Sequence, residues 1–384
     1  MGESRELTAP VPSRQFHRVR RLVVKVGSSL IASAGAGLDP LQIQRLADEL
    51  AATWQSGVEI ALVSSGAIAA GMGRLGLASR PRSIPEKQAA AAVGQSQLMW
   101  HYEQAFSRHL LQVAQVLLTQ EDISDRARYL NARNTLMTLL HFRVLPIINE
   151  NDTVAVEEIK VGDNDNLAAL VAHLIDADLL VILTDVDGLY TGDPRRDPRA
   201  RRLELVETIT PELGRLVWDD DEEQISVGGM GTKLQAAQKA VTSGIPMVIA
   251  GGGEPQIVRR ILRGEPVGTC FLPKGDRLAA RKRWIAFAAP PQGRLHVDHG
   301  ACRAVTEGGK SLLPSGLLGV EGEFDAGEVV GLLDPAGKEF ARGVTNYAAQ
   351  DLQKICGAKT TVRTQVLGHK SFDEVIHRDN LVVL

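Results

Sequence analysis

The sequence has little that would point to a membrane, a metal cage or a nucleic acid. Aromatic residues are only 4% of its 384 positions, and 46 acidic residues slightly outnumber 43 Lys and Arg, for a formal charge of −3. No positive field therefore calls for a polyanionic partner. Its three cysteines, Cys270, Cys302 and Cys356, are widely separated and odd in number. That spacing excludes a zinc motif and a disulfide framework, and it fits reduced thiols in a cytosol. No apolar run approaches the ~20 residues a membrane span needs. The opening MGESRELTAPVPSRQFHRVRR has no apolar signal-peptide core, and Glu6 stands where a myristoylation signal requires Ser or Thr. Residues 1–20 are expected to be a poorly ordered lead-in, and the chain is expected to be cytoplasmic.

What is present reads as an ordinary globular chain, 44% hydrophobic and long enough for two domains. Strand and helix signals alternate from Arg21 to about Phe271. Strands are expected at Arg21–Gly27, Val58–Val63, Val113–Leu118, Val144–Ile148, Asp178–Leu183 and Pro246–Ala250. Helices are expected after Asp39-Pro40, over Pro85–Leu111, Asp125–Leu140, from Leu167 onward, over Thr232–Ser243 and over Pro255–Leu262. Alternation of this kind predicts a mostly parallel sheet with helices on both faces, an αβα sandwich. After Pro273 the pattern changes. Residues 274–293 read as a charged, Pro-containing linker, and 294–384 as a small β-rich domain of about ninety residues. The larger domain is expected to span 21–273.

Polar residues collect where strands end. The stretch from Pro146 to Ala177 joins an apolar run to Asn149, Glu150, Asn151 and Asp152. Ten residues later Gly162, Asp163, Asn164, Asp165 and Asn166 open a helix whose apolar face is Leu167, Leu170, Val171, Leu174 and Ile175. One N-cap needs one such residue, whereas two clusters stand here, and open α/β sheets bind ligands just beyond their strands' carboxyl ends. Lys25 interrupts an otherwise apolar strand ending in Gly27-Ser28-Ser29. A lysine there is either an edge residue that snorkels to water or the partner of something anionic. Ser64-Ser65-Gly66-Ala67 follows the second strand, small enough for a ligand to approach the backbone. Thr184-Asp185 ends a strand covered on both faces. Val227-Gly228-Gly229-Met230-Gly231-Thr232-Lys233 opens a helix and offers backbone N–H groups with one positive charge, a phosphate-binding pattern that is not a Walker A loop.

Three further matches lack their context. Gly71, Gly73 and Gly76 have GxGxxG spacing, but no strand directly precedes Gly71 and no acidic residue is suitably placed ~20 positions on. Gly309-Lys310-Ser311 has Ala304 where a P-loop needs its first glycine. His377-Arg378-Asp379-Asn380 echoes a protein-kinase catalytic loop but has no DFG after it.

Phosphoryl transfer asks mainly for positioning and neutralised charge. Lys25 and Lys233, from opposite ends of the larger domain, can clamp a moving phosphoryl group, and an acid such as Asp165 can hold both. A carboxylate acceptor, with a pKa of ~4.3, needs no general base at neutral pH. The polar clusters around Asp152 and Asn164 can hold an ammonium group.

The segments LVVKVGSSL, LVSSGAIAAG, INENDTVAVEEIKVGDNDNLAAL, LTDVDGLYTGDP and GGMGTKLQAA, in this order, resemble the glutamate 5-kinases of the amino acid kinase superfamily. The segment GVTNYAAQDLQKICG and the HRDNLV end resemble the PUA domain that many bacterial members carry. The resemblance runs from Arg21 to nearly the end. It implies ATP-dependent phosphorylation of the γ-carboxylate of L-glutamate, on the way to proline. It implies Lys25 and Lys233 on the transferring phosphoryl group, with Asp165 orienting them. It places glutamate on Ser65, Gly66, Asp152 and Asn164. It places ATP on Lys25, Gly27, Thr184, Asp185 and the Val227–Lys233 loop, with Mg2+ carried mainly on the phosphates and no dedicated metal-ligand set. It also implies a homo-oligomer, dimer or tetramer, inhibited by proline at a site overlapping the glutamate pocket. The chain departs from the family at Val227 and Gly231, where hydroxyl residues are common.

The competing enzyme readings are kinases of acetylglutamate, aspartate, carbamate or UMP. A UMP site would need phosphate-binding arginines, whereas the acceptor blocks here are Asp/Asn-rich. An RNA-binding protein led by its PUA-like domain would need a basic stripe or exposed aromatics, and the small domain has no dense basic run. A structural or regulatory role suits that domain better.

Overall fold

The architecture follows from strands whose residues are apolar on both faces. A computed structural model describes residues 14, 16–33, 37–77, 79, 81, 83–154, 164–192, 197–210, 213, 229–273, 291–357 and 373–384. The chain divides into two compact units, one of Met1–Ile123 and Ala132–Lys274, the other of Ser124–Asn131 and Gly275–Leu384.

The first unit opens with β1 (Arg21–Val26), a single-turn α1 (Ser28–Ile31) and the small hairpin β2 (Ala32–Ser33) and β3 (Gly37–Leu38). Next come α2 (Pro40–Gln55), β4 (Glu59–Ser64), α3 (Ala67–Leu75), α4 (Ile84–Ser107) and β5 (Val113–Leu118). They are followed by α5 (Gln120–Ser124) and α6 (Arg126–His141), of which Ser124–Asn131 falls in the second unit, and by β6 (Leu145–Glu150), α7 (Asn164–Leu174) and β7 (Leu179–Thr184). The unit closes with β8 (Leu205–Val206), α8 (Met230–Thr242), β9 (Met247–Gly251), α9 (Ile257–Leu262) and β10 (Thr269–Phe271).

Eight strands form one sheet in the order β5-β6-β4-β1-β7-β9-β10-β8. All pairings are parallel except β9 with β10. Successive side chains on a strand point to opposite faces. Every residue of β6 and β7 is nevertheless buried, and so is all of β1 after Arg21. Both faces are therefore covered, as parallel sheets require. β1 lies between β4 and β7, with Lys25 in register with Val63 and Ile182. The edge-strand reading of Lys25 is thereby removed.

Local chemistry explains several element ends. Asp39 caps α2 by accepting from Leu41 N and Gln42 N, with Pro40 at the first helical position. Ser83 and Glu86 form a capping box on α4. The three glycines of the GxGxxG match serve α3 itself: Gly71 packs it, Gly73 lies on it near Gly37, and Gly76 ends it in the left-handed conformation with a φ of +66°. Gly71 lies inside α3, where a Cβ would sit 1.8 Å from the Ala90 carbonyl oxygen of α4, and a Cβ on Gly94 would sit 1.8 Å from that of Ala67. Glycine at these two sites lets the helix backbones touch.

In the second unit a five-stranded sheet runs in the order β12-β11-β13-β14-β15. Its strands are β11 (Gly293–Val297), β12 (Leu317–Glu321), β13 (Val329–Leu333), β14 (Glu339–Val344) and β15 (Leu381–Val383). The pair β11–β13 is parallel and the rest are antiparallel. Helices α10 (His299–Thr306) and α11 (Ala349–Ile355) accompany it, and Leu295, Val330, Leu332, Leu352, Ile355 and Ile376 are among its core. Gly309-Lys310-Ser311 falls in the turn after α10, and Arg378–Asn380 form a single 3-10 turn before β15. Among the described residues, no helix is long and apolar enough to cross a membrane.

Candidate active site

The carboxyl ends of β1, β4, β6 and β7 gather the polar residues of the first unit. Lys25 comes from the penultimate position of β1, Asp165 from the first turn of α7, and Lys233 from the first turn of α8. The three converge. Lys25 Nζ contacts Asp165 Oδ1, and Lys233 Nζ donates to Asp165 Oδ2 at 3.1 Å. Thr232 Oγ1 donates to the same oxygen at 3.1 Å and also lies 2.7 Å from Gly229 O. Exposure is 4% for Lys25, 0% for Asp165 and 3% for Lys233.

Burial alone would raise the Asp165 carboxyl. The two ammonium charges and their hydrogen bonds outweigh it and hold the carboxyl below its usual range. The carboxylate is therefore ionised, and both ammonium groups pair with it. A buried net charge is costly unless it is paired. Asp165 supplies that pairing for both lysines.

The helix starts differ in how they are capped. Asp39, Ser83 and Asp298 cap their helices with side chains. By contrast, α1, α3 and α8 begin at Gly27, Gly66 and Gly229 with no side-chain cap. Gly66 has a φ of +108°, a conformation that excludes most other residues. Among the described residues no side chain caps α8, and the positive end of its dipole faces the lysine cluster.

Beside the charged cluster lies a neutral one. Asn164 Nδ2 donates to Ser65 Oγ at 2.9 Å and to Asn149 Oδ1 at 3.0 Å. Asn149 Nδ2 donates to Gln95 Oε1 at 2.9 Å, and Asn149 Oδ1 accepts from Glu150 N at 2.9 Å. Below them Ser64 Oγ and Tyr102 OH share a buried bond of 2.8 Å, and burial pushes the Tyr102 hydroxyl upward. Asn166 Nδ2 reaches Gln235 Oε1 at 3.4 Å, linking α7 to α8.

The structure thus joins Lys25, Asp165, Lys233 and Thr232 in one cluster, and Ser65 and Asn164 in its neighbour. Asp152 sits half-buried in the turn after β6, its carboxyl pushed up to about 6 by burial. It has no hydrogen bond or ion pair to these residues among those described. Thr184 ends β7 and donates to Asp185 Oδ1 at 2.9 Å, without a side-chain bond to the lysine cluster among the described residues. Val227 and Gly228 lie outside the described residues. Gly231 is in the first turn of α8, and a Cβ there would meet nothing within 4 Å.

Residues 20–251 match the amino acid kinase family and residues 293–365 match the PUA domain. The chain is 52% identical over 367 residues to a glutamate 5-kinase from Moorella thermoacetica, which covers 96% of this chain and 97% of that one. It is 50% identical over 367 residues to a glutamate 5-kinase from Citrifermentans bemidjiense, covering 96% and 98%. The chain belongs to the amino acid kinase family, in its glutamate 5-kinase branch.

In this glutamate 5-kinase relative, two parts of the site carried no sequence signal. Gln95 lies within α4, 54 positions from Asn149. Tyr102 lies seven residues further on the same helix. Both fall on one face, close to i and i+7, and both reach strand ends. A polar pair on one face of an Ala-rich helix was the only available hint. The strand β6 also runs on through Asn149 and Glu150, two residues beyond the expected end at Ile148. The polar side chain of Asn149 is tolerated in a buried strand because the amide cluster satisfies it.

Proposed function

We propose that the chain transfers the γ-phosphoryl group of ATP to the γ-carboxylate of L-glutamate, giving L-glutamyl 5-phosphate for proline synthesis. The observation that carries this reading is the buried Lys25–Asp165–Lys233 cluster, two lysines on one carboxylate, set beside an amide-lined cluster. Two acidic oxygens must approach one another for the transfer, and the two lysines supply the charge that permits it. As the phosphoryl group moves, negative charge spreads over its equatorial oxygens, and Lys25 and Lys233 lie where they can follow it. Asp165 holds both ammonium groups in place before substrate arrives, so little reorganisation is left for the reaction itself. The acceptor is already ionised near neutral pH, so no base is required.

ATP lies along Gly27, Thr184, Asp185 and the Val227–Lys233 segment, with the N–H groups of the first turn of α8 toward its phosphates. Ser65, Gly66, Asp152 and Asn164 hold glutamate, Asp152 as a carboxylate facing the ammonium group. Among the described residues, no group of three or more His, Cys, Asp or Glu side chains could hold a metal ion. Mg2+ would be bound chiefly by the phosphates, where it would neutralise nucleotide charge. Inhibition by proline belongs to the same reading, since proline carries a carboxylate and an ammonium group of the kind this pocket recognises. So does a homo-oligomer, supported by the large exposed side chains Trp100, Leu110, Leu117 and Phe142 around the β5 edge.

The test is ADP release with glutamate, aspartate, N-acetylglutamate and UMP offered in turn. Glutamate is expected to support turnover and the others to give little. Turnover with UMP or N-acetylglutamate and none with glutamate would replace this reading.

A further inference from the structure

The amide cluster has a polarity that one backbone bond decides. Glu150 N can only donate, so the atom it meets at 2.9 Å must be Asn149 Oδ1. Asn149 then turns Nδ2 toward Gln95, which must present Oε1 to it. By the same logic Asn164 turns Nδ2 toward Asn149 Oδ1, and that nitrogen also donates to Ser65 Oγ. Every amide in the chain is now oriented. Two buried atoms remain without a hydrogen-bond partner among the described residues: Gln95 Nε2, a donor, and Asn164 Oδ1, an acceptor. Buried polar atoms in native proteins are rarely left so, and a ligand is one way to satisfy them. A free donor and a free acceptor together complement a zwitterion, the head group of an α-amino acid.

We propose that Gln95 is a specificity-determining positioning residue, which holds Asn149 and through it Asn164 so that Asn164 Oδ1 accepts from the α-ammonium group of the substrate. The inference rests on the glutamate reading above and adds to it a residue on α4. Gln95 Oε1 accepts from Asn149 Nδ2 and so meets an N–H that would otherwise be buried without this acceptor. Without that acceptor Asn149 Oδ1 keeps its direction, since Glu150 N still holds it, but the amide loses the bond at its other end that fixes its position. Asn164 Nδ2, which also donates to Ser64 O at 3.4 Å, keeps its orientation, but Asn164 follows a loosened Asn149 and its Oδ1 is held less firmly toward the ammonium group.

The test uses the full chain and glutarate, which keeps both carboxylates of glutamate and lacks the ammonium group. Gln95→Met is expected to raise the glutamate KM about tenfold or more. The kcat, the ATP KM and the glutarate inhibition constant should each stay within about twofold, since none depends on the bond in question. Gln95→Glu keeps an acceptor for Asn149 and should keep most of the preference for glutamate over glutarate. Where Met is not tolerated, Gln95→Asn, one methylene shorter, gives the same readout. Glutamate and glutarate weakening together, or neither moving, would overturn the role of Gln95 and leave the reaction standing. A wild-type protein that releases no ADP with glutamate would overturn the reaction and this role with it.

Discussion

Asn164 and Asp165 are neighbours in the first turn of α7, yet their side chains serve different clusters. Asn164 Nδ2 donates to Ser65 Oγ at 2.9 Å, whereas Asp165 Oδ2 accepts from Lys233 Nζ at 3.1 Å. One peptide unit therefore ties the neutral pocket to the charged cluster. Movement of this helix start would disturb both, so acceptor and donor sites share a single anchor.

Removing the anchor's charge should be costly. Asp165→Asn leaves two buried ammonium groups without their carboxylate, and breaking a buried pair from one side typically costs about 3–5 kcal/mol. Chemical denaturation of wild type and variant measures the difference. The carboxyl is held below its usual range in the fold, so its stabilisation is full above the ordinary carboxylate pKa. It is lost as pH falls through the lowered folded value, and the gap between wild type and variant should shrink only under acid conditions.

Asp152 should give the acceptor site its own pH dependence. Burial pushes its carboxyl up to about 6, so the free protein protonates it in a range where glutamate's own carboxylates stay ionised. A neutral Asp152 no longer attracts an ammonium group. The glutamate kcat/KM should therefore decline as pH falls below about 6. In Asp152→Asn that inflection should vanish at the expense of a higher glutamate KM. The measurement is a pH profile of kcat/KM for both proteins.

The α3–α4 contact should be intolerant of one added methyl group. At Gly71 and Gly94 a Cβ would lie 1.8 Å from a backbone carbonyl oxygen, and backbone cannot swing aside as a side chain can. Gly71→Ala should destabilise the protein by about 1–3 kcal/mol, the usual cost of overpacking. Gly231→Ala is the comparison, since its Cβ meets nothing within 4 Å, and its thermal midpoint should hold or rise.

The sequence made the framework legible because framework depends on local pattern. Apolar runs marked β1, β6 and β7, and Asp39-Pro40 marked the start of α2. Lys25 stood out because a charge in such a run demands an explanation. Features that depend on distant partners were not visible in this way. The strands β8 and β10, of two and three residues, form because they pair with each other and β10 with β9. Gly71 and Gly76 mimicked part of a nucleotide motif because one residue type serves close helix packing, helix ends and phosphate loops alike. Gln95 showed nothing locally, since its meaning is a single hydrogen bond to a strand far along the chain.

The central claim is that two buried lysines stabilise charge as it moves, rather than merely holding substrate. Steady-state kinetics of Lys233→Ala, with glutamate and ATP each varied, tests it most directly. Loss of one preorganised charge should lower kcat by about 10²–10³-fold, while the glutamate KM changes only a few-fold. A variant with wild-type kcat and a raised glutamate KM would contradict the account, because Lys233 would then bind the acceptor and take no part in the transfer.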